Sequence, residues 1–175
     1  MQARAGNLVG ALALGVADRV QRETEAVAGR SGGRAAALAT LAQWPGDTIE
    51  ELRHSLGLSH SATVRVIDGL VADGLAEREH LGGGPAVRPR LTSAGQAQAR
   101  RILGARRRVL RWLLGDLSGK ELTQLTATVE RLLERLTPDF NAGELVCRLC
   151  DLEACPQDRC PVECMQRQLM TRAHA

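Results

Sequence analysis

The stretch TIEELRHSLGLSHSATVRVIDGLVADGL, residues 48–75, decides the fold. Thr48 and Glu51 stand three apart before an apolar run, the signature of a capping box, so a short helix starts at Ile49. Ile49, Leu52 and Leu56 recur at the spacing of one helical face and point inward. Gly57 turns the chain, and Ser59 caps a second helix that runs to about Asp73. Val64, Ile67 (or Val66), Leu70 and Val71 supply its apolar side, and Gly74 ends it as a left-handed cap does. Two short helices joined by a tight turn form a helix-turn-helix.

Working outward, residues 75–81 and 86–91 read as two short strands joined by Gly82, Gly83, Gly84 and Pro85, and Pro89 marks the second as an edge strand. Upstream, residues 8–28 carry Leu8, Val9, Leu12, Val16 and Val20 at helical spacing. Gly29, Gly32 and Gly33 break that helix, and residues 34–44 form another, stopped by Pro45-Gly46. Downstream, Thr92 or Ser93 caps a long helix to about Leu114. Ser118 and Glu121 form a second capping box, opening a helix to Leu136 with Leu122, Leu125, Val129, Leu132, Leu133 and Leu136 in register. The expected fold is mainly α, a winged helix-turn-helix with a small two- or three-stranded β-wing.

Composition agrees with packed helices. The chain has 175 residues, 44% hydrophobic and 25% charged, enough for one core or one core plus an appendage. Trp44, Trp112 and Phe140 are its aromatic residues, so the core is built from Leu, Val, Ile and Ala. A net charge of +3 permits nucleic-acid binding without demanding it. There is no apolar run of the roughly 18 residues a spanning helix needs. Residues 8–20 contain Gly10, Gly15 and Asp18, follow only Arg4, and do not read as a signal peptide, so a cytoplasmic address without membrane contact is expected. No glycine-rich nucleotide fingerprint, Ser/His/Asp set or paired-carboxylate pattern supports an enzyme.

In a helix-turn-helix the second helix enters the major groove, its first residues against base edges, while the first helix braces it. Those first residues are Ser59, His60, Ser61, Ala62, Thr63, Val64 and Arg65. Hydroxyls suit phosphates or bases, and Arg65 suits guanine or phosphate. On the hairpin, Arg78, His80, Arg88 and Arg90 suit phosphates or the minor groove. Arg100, Arg101, Arg106, Arg107, Arg108 and Arg111 read as a solvated or salt-bridged face of the long helix.

Taken in order, Thr48-Ile49-Glu50-Glu51-Leu52, Gly57-Leu58-Ser59, Val66-Ile67-Asp68-Gly69-Leu70, Asp73-Gly74-Leu75-Ala76-Glu77-Arg78 and Arg90-Leu91-Thr92-Ser93-Ala94-Gly95 resemble the MarR family of winged-helix regulators, over about residues 8–136. The resemblance implies a homodimer with interlocking terminal helices, double-stranded DNA as partner, a pseudo-palindromic operator and repression relieved by a small-molecule effector or by cysteine oxidation. It maps the DNA-reading positions onto Ser59, His60, Ser61, Thr63, Val64 and Arg65. It divides the chain into a winged-helix domain, 1–137, with dimerisation by 7–29 and 93–137 and DNA reading by 48–92, and a tail, 138–175. The wing tip departs from the family pattern: it lacks the usual Asp-x-Arg pair, and Arg88 or Arg90 are the substitutes at hand.

The tail carries all five cysteines: Cys147-x2-Cys150-x4-Cys155-x4-Cys160, then Cys164. The first four have zinc-knuckle spacing with Cys in place of His, and four thiolates close a tetrahedral site. Cys155-Pro156 and Cys160-Pro161 also resemble iron–sulfur ligation. Zinc, an iron–sulfur cluster and a thiol–disulfide switch are therefore open, with Cys164 an alternative ligand or resolving thiol. The sequence reads as a DNA-binding transcription regulator modulated by metal or redox state. The alternative is a thiol-based redox or metal-handling protein whose helix-turn-helix serves assembly.

Overall fold

A computed structural model describes residues 1–29, 32–80 and 87–173, the side chains of His80, Val87 and Ala173 excepted. The order is α1 (Gln2–Ala28), α2 (Arg34–Gln43), α3 (Ile49–Leu56), α4 (His60–Ala72), β1 (Ala76–His80), β2 (Val87–Leu91), α5 (Ser93–Leu114), α6 (Gly119–Arg135), α7 (Phe140–Cys147) and α8 (Pro161–Ala173). The glycine tip of the expected hairpin lies outside the described residues, as does His174.

Local chemistry sets the boundaries. Thr48 caps α3 and Ser118 caps α6, each in a complete capping box with Glu51 and Glu121. Ser59 caps α4 through Ala62 N–H, and Thr92 caps α5 through Gly95 N–H. Gly57, at φ +64°, supplies the left-handed residue of the helix-turn-helix turn. The strands pair antiparallel, Ala76 opposite Leu91 and Arg78 opposite Pro89. Helix α1 starts at Gln2, six residues before the apolar pattern begins, and runs through Gly6.

The core sits under the helix-turn-helix. Leu38 and Leu41 of α2 meet Leu52 of α3, Ile67 and Leu70 of α4, Ala76 of β1, and Ala99 and Ile102 of α5. Of the positions expected inside, Val71 is exposed and Ile49 only half-buried. The apolar register of α6 faces away from its own chain: Leu122, Val129, Leu132 and Leu136 are exposed, and α6 buries no residue. Leu8, Val9, Leu12 and Leu14 of α1 are exposed as well. Lower down, α1 packs on α5, where the Arg19 guanidinium lies 5.3 Å from the Trp112 ring centroid. No helix among the described residues is long and apolar enough to cross a membrane.

The start of α5 is stitched to the end of the helix-turn-helix. Thr92 N donates to Leu75 O at 3.1 Å, and Thr92 Oγ1 to Gly74 O at 2.8 Å. A Cβ at Gly95 would fall 1.9 Å from Leu75 O, so only glycine admits this approach. Gly95→Ala is expected to lower stability by about 2 kcal/mol or more, in line with overpacking against backbone, read as a lower urea midpoint in equilibrium unfolding.

Candidate nucleic-acid interface and cysteine cluster

Helix α4 presents its N-terminal half to solvent. Ser59, His60, Ser61 and Arg65 are exposed, and Val64 is half-buried. Thr63 is fully buried, and its hydroxyl donates to Ser59 O at 3.1 Å, so it shapes the helix start and is out of reach of DNA. His60 Nδ1 lies 3.6 Å from Glu50 Oε2. Arg53, first, and then His60 bind the Glu50 carboxyl and hold it below the usual carboxylate range. Among the described residues no carboxylate pairs with Arg65, which leaves that guanidinium available for an anion.

The far end of α4 is fixed from behind. Arg34, buried at the start of α2, reaches Asp73 Oδ2 at 2.5 Å. The wing arginines are less available than their positions imply. Arg78 pairs with Asp68 of α4, and Arg90 Nη1 lies 3.4 Å from Glu79 Oε1 across the hairpin. Arg88 turns inward: its Nε is buried with no hydrogen-bond partner among the described residues, and it acts electrostatically on Asp47 and Glu51.

The tail is folded onto this apparatus. Ser55 of α3 donates to Glu144 Oε2 of α7 at 2.5 Å, and a Cβ at Gly57 would meet Leu145 Cδ1 at 2.9 Å. Gln43 of α2 holds the chain after α7 at two points, its Nε2 donating to Cys150 O at 2.7 Å and its Oε1 accepting from Leu152 N at 2.9 Å. Arg107 of α5 reaches Asp151 Oδ2 at 3.3 Å, so the arginine run of α5 is partly a docking surface for the tail. Sequence reasoning missed these partners; the one available signal was the acidic character of Asp151 and Glu153 opposite an arginine-rich helix.

Cys147, Cys150, Cys155 and Cys160 line one cavity of about 60 Å³, together with Thr40 and Trp44 of α2 and Ser55 of α3. All are half-buried free thiols. Cys147 and Cys150 share a hydrogen bond, which together with burial pushes the Cys147 thiol far up and, against burial, draws Cys150 down to about 6. Burial, then the neighbouring Cys160, raises Cys155 to about 11. Arg106 acts on both Cys150 and Cys155. Cys164 stands apart, its Sγ 3.7 Å from Asp158 O. Among the described residues, no three ligating side chains stand ready in coordinating positions.

With this geometry in view, the relatives fall into one group. Residues 28–84 match the family model described as the MarR family. Over those residues the chain is similar to the MarR family. Its fold is that of solved MarR proteins. A MarR-family transcriptional regulator from Silicibacter pomeroyi is 27% identical, with 77% of this chain and 91% of that one covered and a TM-score of 0.60. A MarR-family protein from Bacillus stearothermophilus is 24% identical, with 77% and 94% covered and a TM-score of 0.68. MepR, a transcription regulator of the Staphylococcus aureus multidrug efflux pump MepA, is 16% identical, with 75% and 97% covered and a TM-score of 0.63. No curated protein matches the chain in sequence.

One titration in this MarR-like domain has a measurable consequence. Burial, first, and then Glu51 and Glu144 raise the Asp47 carboxyl to about 6 from an ordinary 3.8. Its ionised form is disfavoured in the fold, so the protonated form adds stability below the unfolded value, and that contribution is lost as pH rises through about 6. Asp47→Asn is expected to raise Tm at pH 8 and to leave it unchanged near pH 3.5, as read by thermal unfolding at both pH values.

Proposed function

We propose that this chain is a sequence-specific DNA-binding transcription regulator, acting as a homodimer on a pseudo-palindromic operator and repressing from it, with its cysteine tail as the metal- or redox-responsive element. The observation that carries the reading is the exposed head of α4. Ser59, His60, Ser61 and Arg65 face solvent on a helix braced from behind by α3 and by the Arg34–Asp73 pair. An unpaired arginine one and a half turns into such a helix is placed for guanine or phosphate.

The exposed apolar faces support the dimer. Leu8, Leu12, Leu122, Val129 and Leu132 together form more uncovered apolar surface than a lone soluble chain usually leaves open, and a second copy would cover it. The groove between α1 and α5, lined by Leu12, Val16, Arg19, Val109, Trp112 and Leu113, is of a size for a small apolar effector. Solved relatives described as transcription regulators share the fold, which favours this reading over a thiol-handling protein that uses its helix-turn-helix for assembly.

Arg65→Ala is expected to weaken binding to the DNA upstream of the protein's own gene by roughly 10- to 100-fold, with a shallower salt dependence, in fluorescence anisotropy titrations at several salt concentrations. Arg78→Ala is expected to cost less, since Asp68 already occupies that guanidinium. Wild-type chain that binds no DNA more tightly than random sequence, in every metal and redox state, would sink the reading. Leu132→Glu is expected to shift the chain from dimer to monomer in sedimentation equilibrium.

A further inference from the structure

We propose that Cys147, Cys150, Cys155 and Cys160 ligate one zinc ion, and that this ion locks the tail onto α2 and α3, so that zinc occupancy sets how firmly the DNA-reading helix is braced. The metal site stands on the geometry of the tail alone. Its effect on DNA rests on the regulatory reading above.

Residues 148–160 form neither helix nor strand among the described residues, yet they follow a defined path. No apolar side chain in that segment is buried; Leu149 and Leu152 are half-buried, and Asp151 is the one buried residue. Leu149 packs at the edge of the core, and Leu152 lines the same cavity as the cysteines, which turn inward together. Three of them lie in or at the ends of this segment, and Cys147 closes α7 just before it. A loop without an apolar core of its own is held by cross-links, and four thiolates around one small cavity are such a set.

The ligand set favours a single ion. Cys147 with Cys150, and Cys155 with Cys160, are each within thiol–thiol hydrogen-bond reach. Tetrahedral zinc at about 2.3 Å from each sulfur puts sulfurs about 3.8 Å apart, so binding would draw the four thiols together around the cavity they line. A four-iron cube would hold the thiolates further apart than a single zinc ion does. Binding zinc displaces the thiol protons to solvent and leaves four thiolates around a divalent ion, a site of net charge −2. Arg106, close enough to act on Cys150 and Cys155, faces that charge. Cys164, turned to Asp158 O, is outside the set.

The cavity wall makes the site more than a staple. Thr40 and Trp44 of α2 and Ser55 of α3 complete it. Gln43 grips the chain on both sides of Asp151, Ser55 bonds Glu144, and Leu145 sits against Gly57 in the turn that leads into α4. An ion that fixes the cysteine loop therefore fixes α7 on α3 and on that turn.

The test uses full-length protein purified without air. Metal analysis is expected to give one zinc per chain and a colourless spectrum. Cys150→Ser and Cys155→Ser are expected to lose it and Cys164→Ser to keep it. Chelation of the wild-type protein is expected to raise amide exchange in α7 and α3 and to weaken operator binding at least tenfold, restored by added zinc. Ser55→Ala is expected to keep zinc while reducing the response of α3 to chelation.

Absence of bound metal, or iron with a broad band near 400 nm, as roughly expected for a thiolate-bound cluster, would overturn the zinc site. Zinc bound at these thiols with exchange in α3 indifferent to chelation would overturn the lock and leave the site. If no form of the chain binds DNA, the regulatory reading fails, while metal content and exchange still decide the site and the lock. Where a cysteine variant fails to fold, the chelation series on wild-type protein decides.

Discussion

Helix α2 is buried on every residue from Arg34 to Leu41, and the placement of every other element follows from that constraint. A helix surrounded on all sides needs small residues, so that neighbouring backbones approach closely, and few unpaired polar groups. The run RAAALATLA supplies both: Ala35, Ala36, Ala37 and Ala39 around Leu38 and Leu41, the two leucines that fill the core. Helices α1, α3, α4 and α5 and strand β2 all pack against it. Its one charged residue, Arg34, is matched by Asp73 at the end of α4, so the buried charge that α2 carries orients α4. Its two polar residues near the other end, Thr40 and Gln43, are matched by the backbone of the tail at Arg148, Cys150 and Leu152. One helix thus holds α4 by one end and the cysteine segment by the other.

The same packing explains why so much apolar surface is left over. With α2 at the centre, α1 reaches the core only through its last two turns, at Val20, Thr24 and Ala28, and α6 does not reach it at all. Both helices nevertheless keep a helical apolar register along their length. On α6 only Leu125 and Leu133 are half-buried, and on the first half of α1 Leu8, Val9, Leu12 and Leu14 stay exposed, so much of both registers is uncovered within the chain. The low aromatic content fits: leucine and valine on helical faces interlock without needing partners for a polar tip.

Most elements were legible because their boundaries are written in local chemistry. Capping boxes at Thr48 and Ser118, the Ser59 and Thr92 caps, and glycine at Gly57 and Gly74 act within four residues of themselves, so a linear reading captures them. What the reading missed is settled by residues far apart in sequence. Thr63 has the chemistry of a DNA contact, but its helical phase turns it inward beside Ile67. Arg78 and Arg90 have the chemistry of phosphate contacts but are held by Asp68 and Glu79, partners ten and eleven residues away. The leucine register of α6 was legible as a pattern, and Leu122, Val129 and Leu132 on it are exposed in the chain. The cysteines were legible as a set, while their seat against α2 and α3 was not: Gln43, Ser55 and Arg107 look like ordinary surface residues until the tail folds back on them.

That fold-back bears on how the tail persists at all. Each backbone residue ordered costs about 1–2 kcal/mol of conformational entropy, and each net hydrogen bond returns about 1 kcal/mol. Gln43 and Thr40 contribute only a few such bonds across residues 148–160, and the Arg107–Asp151 pair is half-exposed on the arginine side and so weakened by solvent. Contacts of that strength select a path for the segment but do not compel it. The segment is seated on the helix-turn-helix by a few directional bonds and by Leu149 at the edge of the core. In the proposed zinc site, a change at four thiols would fix or release this lightly held segment, which rests against α2 and α3 beside α4.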